Sequence, residues 1–199
     1  LHKMLHSADI LIHKTLYAQA RKLLRSAEKL AKKHELLNIR IDIRKKLKIL
    51  QEKNNFIDLS EDELTDILNQ DTDYHKQSLY EDKLWNIKSR LLQQMTLHGQ
   101  ARSAENEKIF QSIYDEINTL QIPNSPTLEA EYLHLHIKSA YHFALQNYAD
   151  SFKEMRKNLS LFETNENLKE KHPERYFSLL TNLIYTSDHL GYFDLSVTY

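Results

Sequence analysis

Eleven histidines in 199 residues make metal ligation the first chemistry to weigh. His2 and His6 stand at i, i+4, the spacing that sets two imidazoles on one helical face, as a pair of zinc ligands requires. No glutamate lies between them in an HExxH arrangement, so no metal is expected there. His134 and His136 are two positions apart, and such side chains diverge on a helix. His134, Lys138 and His142 recur at i, i+4, i+8 and share one polar face. That face either lines a ligand-facing groove or meets water, and its three residues are candidates for contact with a partner.

Carboxylates offer little for acid–base work. Asp71 and Asp73, like Glu61, Asp62 and Glu63, read as residues at helix starts or bends, where a negative charge favours exposed backbone N–H groups. The chain has no cysteine, which removes disulfides, thiolate catalysis and Cys-based zinc sites. It has no GxSxG, GxxxxGK[ST] or GxGxxG, and two isolated glycines cannot build a phosphate cradle. The expectation is a non-enzyme with no catalytic residue, metal or cofactor. Trp85 and the eleven tyrosines read mainly as core and inter-helix filler.

A second candidate surface is basic. Arg40, Arg44 and Lys48 align at i, i+4, i+8, with Lys45 and Lys46 beside them. Residues 1–54 carry fourteen Lys and Arg against five Asp and Glu, whereas residues 55–131 carry six against fifteen. The first segment therefore either meets an anionic partner or faces the second when folded. The nearest aromatics, Tyr17 and Phe56, are not interleaved with the cations as stacking platforms would be, and the isoelectric point near 6.9 is not that of a dedicated nucleic-acid binder. A contiguous basic face over residues 21–53 would favour nucleic acid; opposing acidic side chains would remove it.

The elements that position these residues are helices. Two glycines and three prolines are too few for the turns of a β-sandwich, and Leu, Lys, Glu, Gln and Ala dominate. Apolar periodicity predicts helices over 2–13, 16–34 and 35–53. Asn54-Asn55 interrupts them, and Ser60 to Glu63 forms a capping box. Helical character then runs to about His98, bent near Asp71–Asp73 or else continuous over ~57 Å at 1.5 Å per residue. Gly99 stops it, Ser103 caps a helix over 104–120, and Ser125-Pro126 is the cap and first turn of one over 127–145. Helices follow over 148–164 and from Pro173 to about Leu190, where Gly191 ends the last. No apolar run approaches the ~18 residues of a membrane span and no signal peptide is visible, so a cytoplasmic location is expected.

Three short stretches repeat one pattern at the helix boundaries: Tyr17 to Ala20, Tyr148 to Ser151 and Phe193 to Ser196 each place an aromatic three residues before a small one. Each aromatic follows a turn position by two, at Thr15, Gln146 and Gly191. The spacing resembles that of tetratricopeptide-repeat proteins, in which the aromatic plugs the corner and the small residue lets the second helix pack closely. Leu24 and Ala27 fit the next positions of that pattern, with Met155 and Leu159 a looser match. Only one of the turn positions is glycine, no repeat ends in the usual proline, and the turns lie 131 and 45 residues apart rather than ~34. Residues 35–122 match no repeat consensus.

The resemblance implies an all-α, right-handed helical solenoid with a long irregular helical pair in its middle, forming one domain over 1–199 with sub-blocks 1–54, 55–122 and 123–199. It implies a non-catalytic scaffold that holds another protein or peptide in its groove; the alternative is a nucleic-acid-binding array using the basic face. The chain opens on Leu1 and stops three residues after Ser196, which reads as a fragment of a longer array. An exposed apolar end at Phe193, Leu195, Val197 and Tyr199 is expected.

Overall fold

Hydrogen bonding at the helix boundaries organises this chain. The computed structural model describes the backbone of residues 1–196 and the side chains of residues 1–194. It is 81% helical, and no strand occurs among the described residues. The helices are α1 (His2–His13), α2 (Tyr17–Lys33), α3 (Leu37–Glu52), α4 (Glu61–His98), α5 (Ala104–Asp115), α6 (Leu128–Ala144), α7 (Tyr148–Thr164), α8 (Glu166–Lys171), α9 (Pro173–His189) and α10 (Phe193–Ser196). A 3₁₀ turn at Glu116–Thr119 finishes α5, where one continuous helix was expected.

One turn geometry recurs. At Thr15, Gln146 and Gly191 the backbone is left-handed, with φ of 60°, 59° and 74°. In each case the next N–H reaches back five residues: Leu16 to the Leu11 carbonyl, Asn147 to His142 and Tyr192 to Ser187, all at 2.9 Å. This is a Schellman closure, which satisfies the last carbonyls of one helix and starts the next within two residues. A fourth copy joins α2 to α3, with Glu35 at φ 52° and Leu36 N–H bonded to Ala31 at 2.9 Å. Its corner residue is Leu37 rather than an aromatic, so the sequence pattern passes over it.

Contacts divide the chain at Leu79/Tyr80, inside α4, into units Leu1–Leu79 and Tyr80–Tyr199 rather than at the three expected sub-blocks. In the first unit α2 packs on α1 and α3 through Ala20, Leu24, Ala27 and Ala31, all fully buried, together with Leu5, Ile43 and Leu50. Alanine on α2 permits close helix approach, the role expected of Ala20 and Ala27. In the second unit α7 lies against both α6 and α9. Its core includes Leu84 and Leu91 of α4, Phe110 of α5, Leu133 and Ile137 of α6, Phe162 of α7 and Leu183 of α9. Ser151 is fully buried at the small position, its hydroxyl donating to the Ser139 carbonyl at 2.9 Å.

Several local expectations hold and some move. Ser60 and Glu63 form the capping box, with the Ser60 N–H donating to Glu63 Oε2 at 2.8 Å and the Glu63 N–H to Ser60 Oγ at 3.2 Å. The cap of α6 is Thr127, whose hydroxyl accepts from Ala130 N–H at 3.1 Å, rather than Ser125. Helix α4 runs unbroken through Asp71 and Asp73. Trp85 is 40% exposed, so it is not core. Of the expected apolar end, Phe193 is 66% exposed, while the side chain of Leu195, and Val197 and Tyr199, lie outside the described residues. No helix among the described residues is long and apolar enough to cross a membrane.

Candidate functional site

The basic stripe turns inward. Arg44 Nε donates to Asp71 Oδ1 at 2.7 Å, Lys48 Nζ lies 2.8 Å from Asp71 Oδ2, and Arg44 also approaches Glu28 at 3.6 Å. Arg40 donates to the Tyr74 hydroxyl and stacks its guanidinium 4.2 Å from that ring's centroid. Asp71 is thus neither a helix-start nor a bend residue: it sits within α4 and neutralises two cations of α3. Burial raises its pKa, but the hydrogen bonds and charges of Lys48 and Arg44 outweigh that and hold the carboxyl below its ordinary value. At these three positions the acidic segment faces the basic one.

His134, Lys138 and His142 are half-buried on α6. Burial, then the Lys138 charge, pushes the His134 pKa down, against the pull of Glu154. The His142 ring lies 5.2 Å from Tyr141 and 6.4 Å from Tyr114. None of the three is on the lining of the cavity between α4, α6, α7 and α9. His2 and His6 are exposed on α1.

The cavity of the second unit opens on another face of α6, about 200° round the helix from His134. Its volume is about 410 Å³, and Tyr132, His136, Ser139, Ala140 and Phe143 of α6 line it. Lys88, Leu92 and Met95 of α4, Ser151, Met155 and Asn158 of α7, and Glu174, Arg175, Ser178, Leu179 and Asn182 of α9 complete it. A pocket of this size with apolar walls and a few convergent polar groups is the usual form of a binding site.

Its polar groups are unevenly satisfied. Lys88 is 9% exposed and makes no ion pair among the described residues; its ammonium lies 4.2 Å from the Trp85 ring centroid and 5.6 Å from that of Tyr132. Arg175 also lies over Tyr132, at 4.6 Å, but donates to Glu129 Oε2 at 2.6 Å. Burial and the neighbouring Arg175 charge lower the Lys88 pKa, with Glu129 opposing them. Burial, then Lys88 and Arg175, pushes His136 down to about 4, so this imidazole is neutral at pH 7. Asn158 is 1% exposed and its Oδ1 has no hydrogen-bond partner. The hydroxyls of Ser139 and Ser151 both donate to backbone carbonyls, at 2.9 Å each, so neither is paired with His136 as a nucleophile would be.

The sequence pattern kept His134 as a partner-contact candidate, set His136 aside, and did not single out Lys88, Asn158 or Arg175. One signal was available. Ser151, Met155, Asn158 and Phe162 occupy successive core-register positions of α7, and two of them are polar. Polar residues on a buried stripe need partners, and here they mark the groove. Among the described residues, no group of three or more His, Cys, Asp or Glu side chains is placed to hold a metal ion. In comparisons with protein-family models, curated proteins and solved structures, the chain matches none.

Proposed function

We propose that this chain is a non-catalytic binding scaffold, built as a tetratricopeptide-like helical array, that holds a peptide segment of another protein in the groove between α4, α6, α7 and α9. The observation that carries the reading is Lys88: a buried ammonium with aromatic rings beside it and no carboxylate of its own. Burying a charge without an anion is costly, and an acidic group of a ligand relieves that cost. Asn158 presents an acceptor suited to a peptide N–H, and Leu92, Met95, Met155 and Leu179 offer apolar contact. The four equivalent turns support the repeat reading, since a helix-turn-helix unit stacked on its neighbours leaves one face of each pair for a ligand.

The test uses Trp85, the one tryptophan of the chain, as a reporter beside Lys88. Extended peptides bearing a single Glu are titrated against their Gln counterparts while Trp85 emission is followed. The reading expects saturable binding of the Glu peptides, weakened at least tenfold by Glu-to-Gln exchange and by Lys88→Met. Equal affinity for both peptide sets, or binding indifferent to Lys88→Met, would overturn it.

A further inference from the structure

The first unit holds a cavity of its own, about 340 Å³, bounded by α2, α3, the 56–59 segment and the start of α4. Its apolar wall is Leu47, Phe56, Leu59, Leu64, Ile67 and Leu68. The polar lining is basic, and its cations differ in how fully they are engaged. Arg44 is held by Asp71, by Glu28 and by the Ile67 carbonyl at 3.2 Å, and Lys48 by Asp71. Arg21 has only a 3.7 Å approach to Asp58, a half-exposed carboxylate, and its Nε is buried without a hydrogen-bond partner. Arg25 is exposed and makes no ion pair among the described residues. Gln51 Oε1, on the same lining, is buried and unpartnered as well.

We infer that this cavity binds an amphipathic monoanion: an aliphatic chain ending in a carboxylate, with an N–H donor next to the head group, as in an N-acyl amino acid. Each part answers a feature on the lining. The six apolar side chains accept the aliphatic chain, which gains from leaving water. A guanidinium matches a carboxylate in both charge and geometry, and of the lining arginines Arg25 makes no ion pair among the described residues and Arg21 only the 3.7 Å one with Asp58. The buried Gln51 acceptor takes the donor. A cationic amphiphile would meet four cations against the single carboxylate of Glu28, and a neutral one would leave Arg21 Nε unpaired. The inference is independent of the peptide groove, which lies in the other unit.

The experiment is calorimetric titration of the whole chain with N-decanoylglycine below its micelle concentration, beside its methyl ester, N-octanoylglycine, decanoate and decyltrimethylammonium. One-to-one saturation by N-decanoylglycine is expected. The methyl ester should bind at least tenfold more weakly, and loss of two methylenes should cost roughly tenfold. Decanoate, without the N–H, should bind about threefold or more weakly, and the cation should not bind. Arg21→Gln and Arg25→Gln should each weaken N-decanoylglycine about fivefold, and Lys88→Met should leave it unchanged. Arg25 is exposed, so its variant keeps the test decisive if Arg21→Gln misfolds. Absence of binding, as would follow if Arg21 and Gln51 simply turn to each other, overturns the proposal. So does equal binding of the ester or the cation, or affinity unaltered in both arginine variants.

Discussion

Arg44 and Asp71 meet through Nε and Oδ1 at 2.7 Å, joining the basic helix α3 to the acidic helix α4. Arg44 is 12% exposed on its side chain and Asp71 8%. A pair so enclosed is destabilising to break from one side, because the remaining charge is left without compensation. The stripe that looked like an anion-binding surface is therefore part of what holds α3 against α4 within the first unit.

Asp71→Asn is expected to destabilise the first unit by about 3 kcal/mol, as removal of one partner of a buried pair does. Urea denaturation checks this, and a double-mutant cycle with Arg44→Met should show coupling between the two sites. Additive losses would mean that the ion pair contributes nothing as a pair.

Lys88→Met should raise the stability of the second unit by about 1–2 kcal/mol, since it replaces a buried, unmatched charge with an apolar chain of similar length. The same change should abolish the response of Trp85 to acidic peptides. A gain in thermal stability together with lost binding is what separates a functional charge from a structural one.

His136 is held neutral, with its folded pKa near 4 against an ordinary value of 6.5. The unfolded chain takes up a proton on this imidazole between those values and the folded chain does not, so stability falls as pH drops from about 6.5 to about 4. Above pH 6.5 the contribution is complete. His136→Gln should flatten stability over that window, while the loss of the Asp71 contribution, at lower pH, should persist.

Thr15 is a β-branched residue at φ 60°, a conformation that costs an L side chain about 1–2 kcal/mol. Thr15→Gly should stabilise by about 0.5–1 kcal/mol after the entropy of glycine is counted. Gln146→Gly, at φ 59°, should bring no gain, because Gln146 Nε2 donates to the Ala101 carbonyl at 2.8 Å and that bond would be lost. Melting temperatures of the two variants check the contrast.

Helix positions, the Ser60–Glu63 box, the Ser103 cap and the turns at Thr15, Gln146 and Gly191 all follow from signals within a few residues, and all were readable. The turn at Glu35 was not, because neither its left-handed residue nor Leu37 carries the small or aromatic side chain that announces such corners. The groove is lined by a face of α6 other than that of His134, Lys138 and His142.

By itself the sequence determined most of the local order: which long segments are helical, to within a few residues where they begin, and which residues share a stripe. Those are properties of backbone hydrogen bonding and of a 3.6-residue period. Tertiary structure alone decided which stripe faces which. Lys88, His136, Asn158 and Arg175 stand on four helices, and periodicity says nothing about how helices are rotated against one another. Arg44 was equally free to meet solvent or Asp71 until α3 and α4 packed. The packing that buries Leu24, Ile43 and Leu50 also sets helix rotation, and so it settles where the charges go.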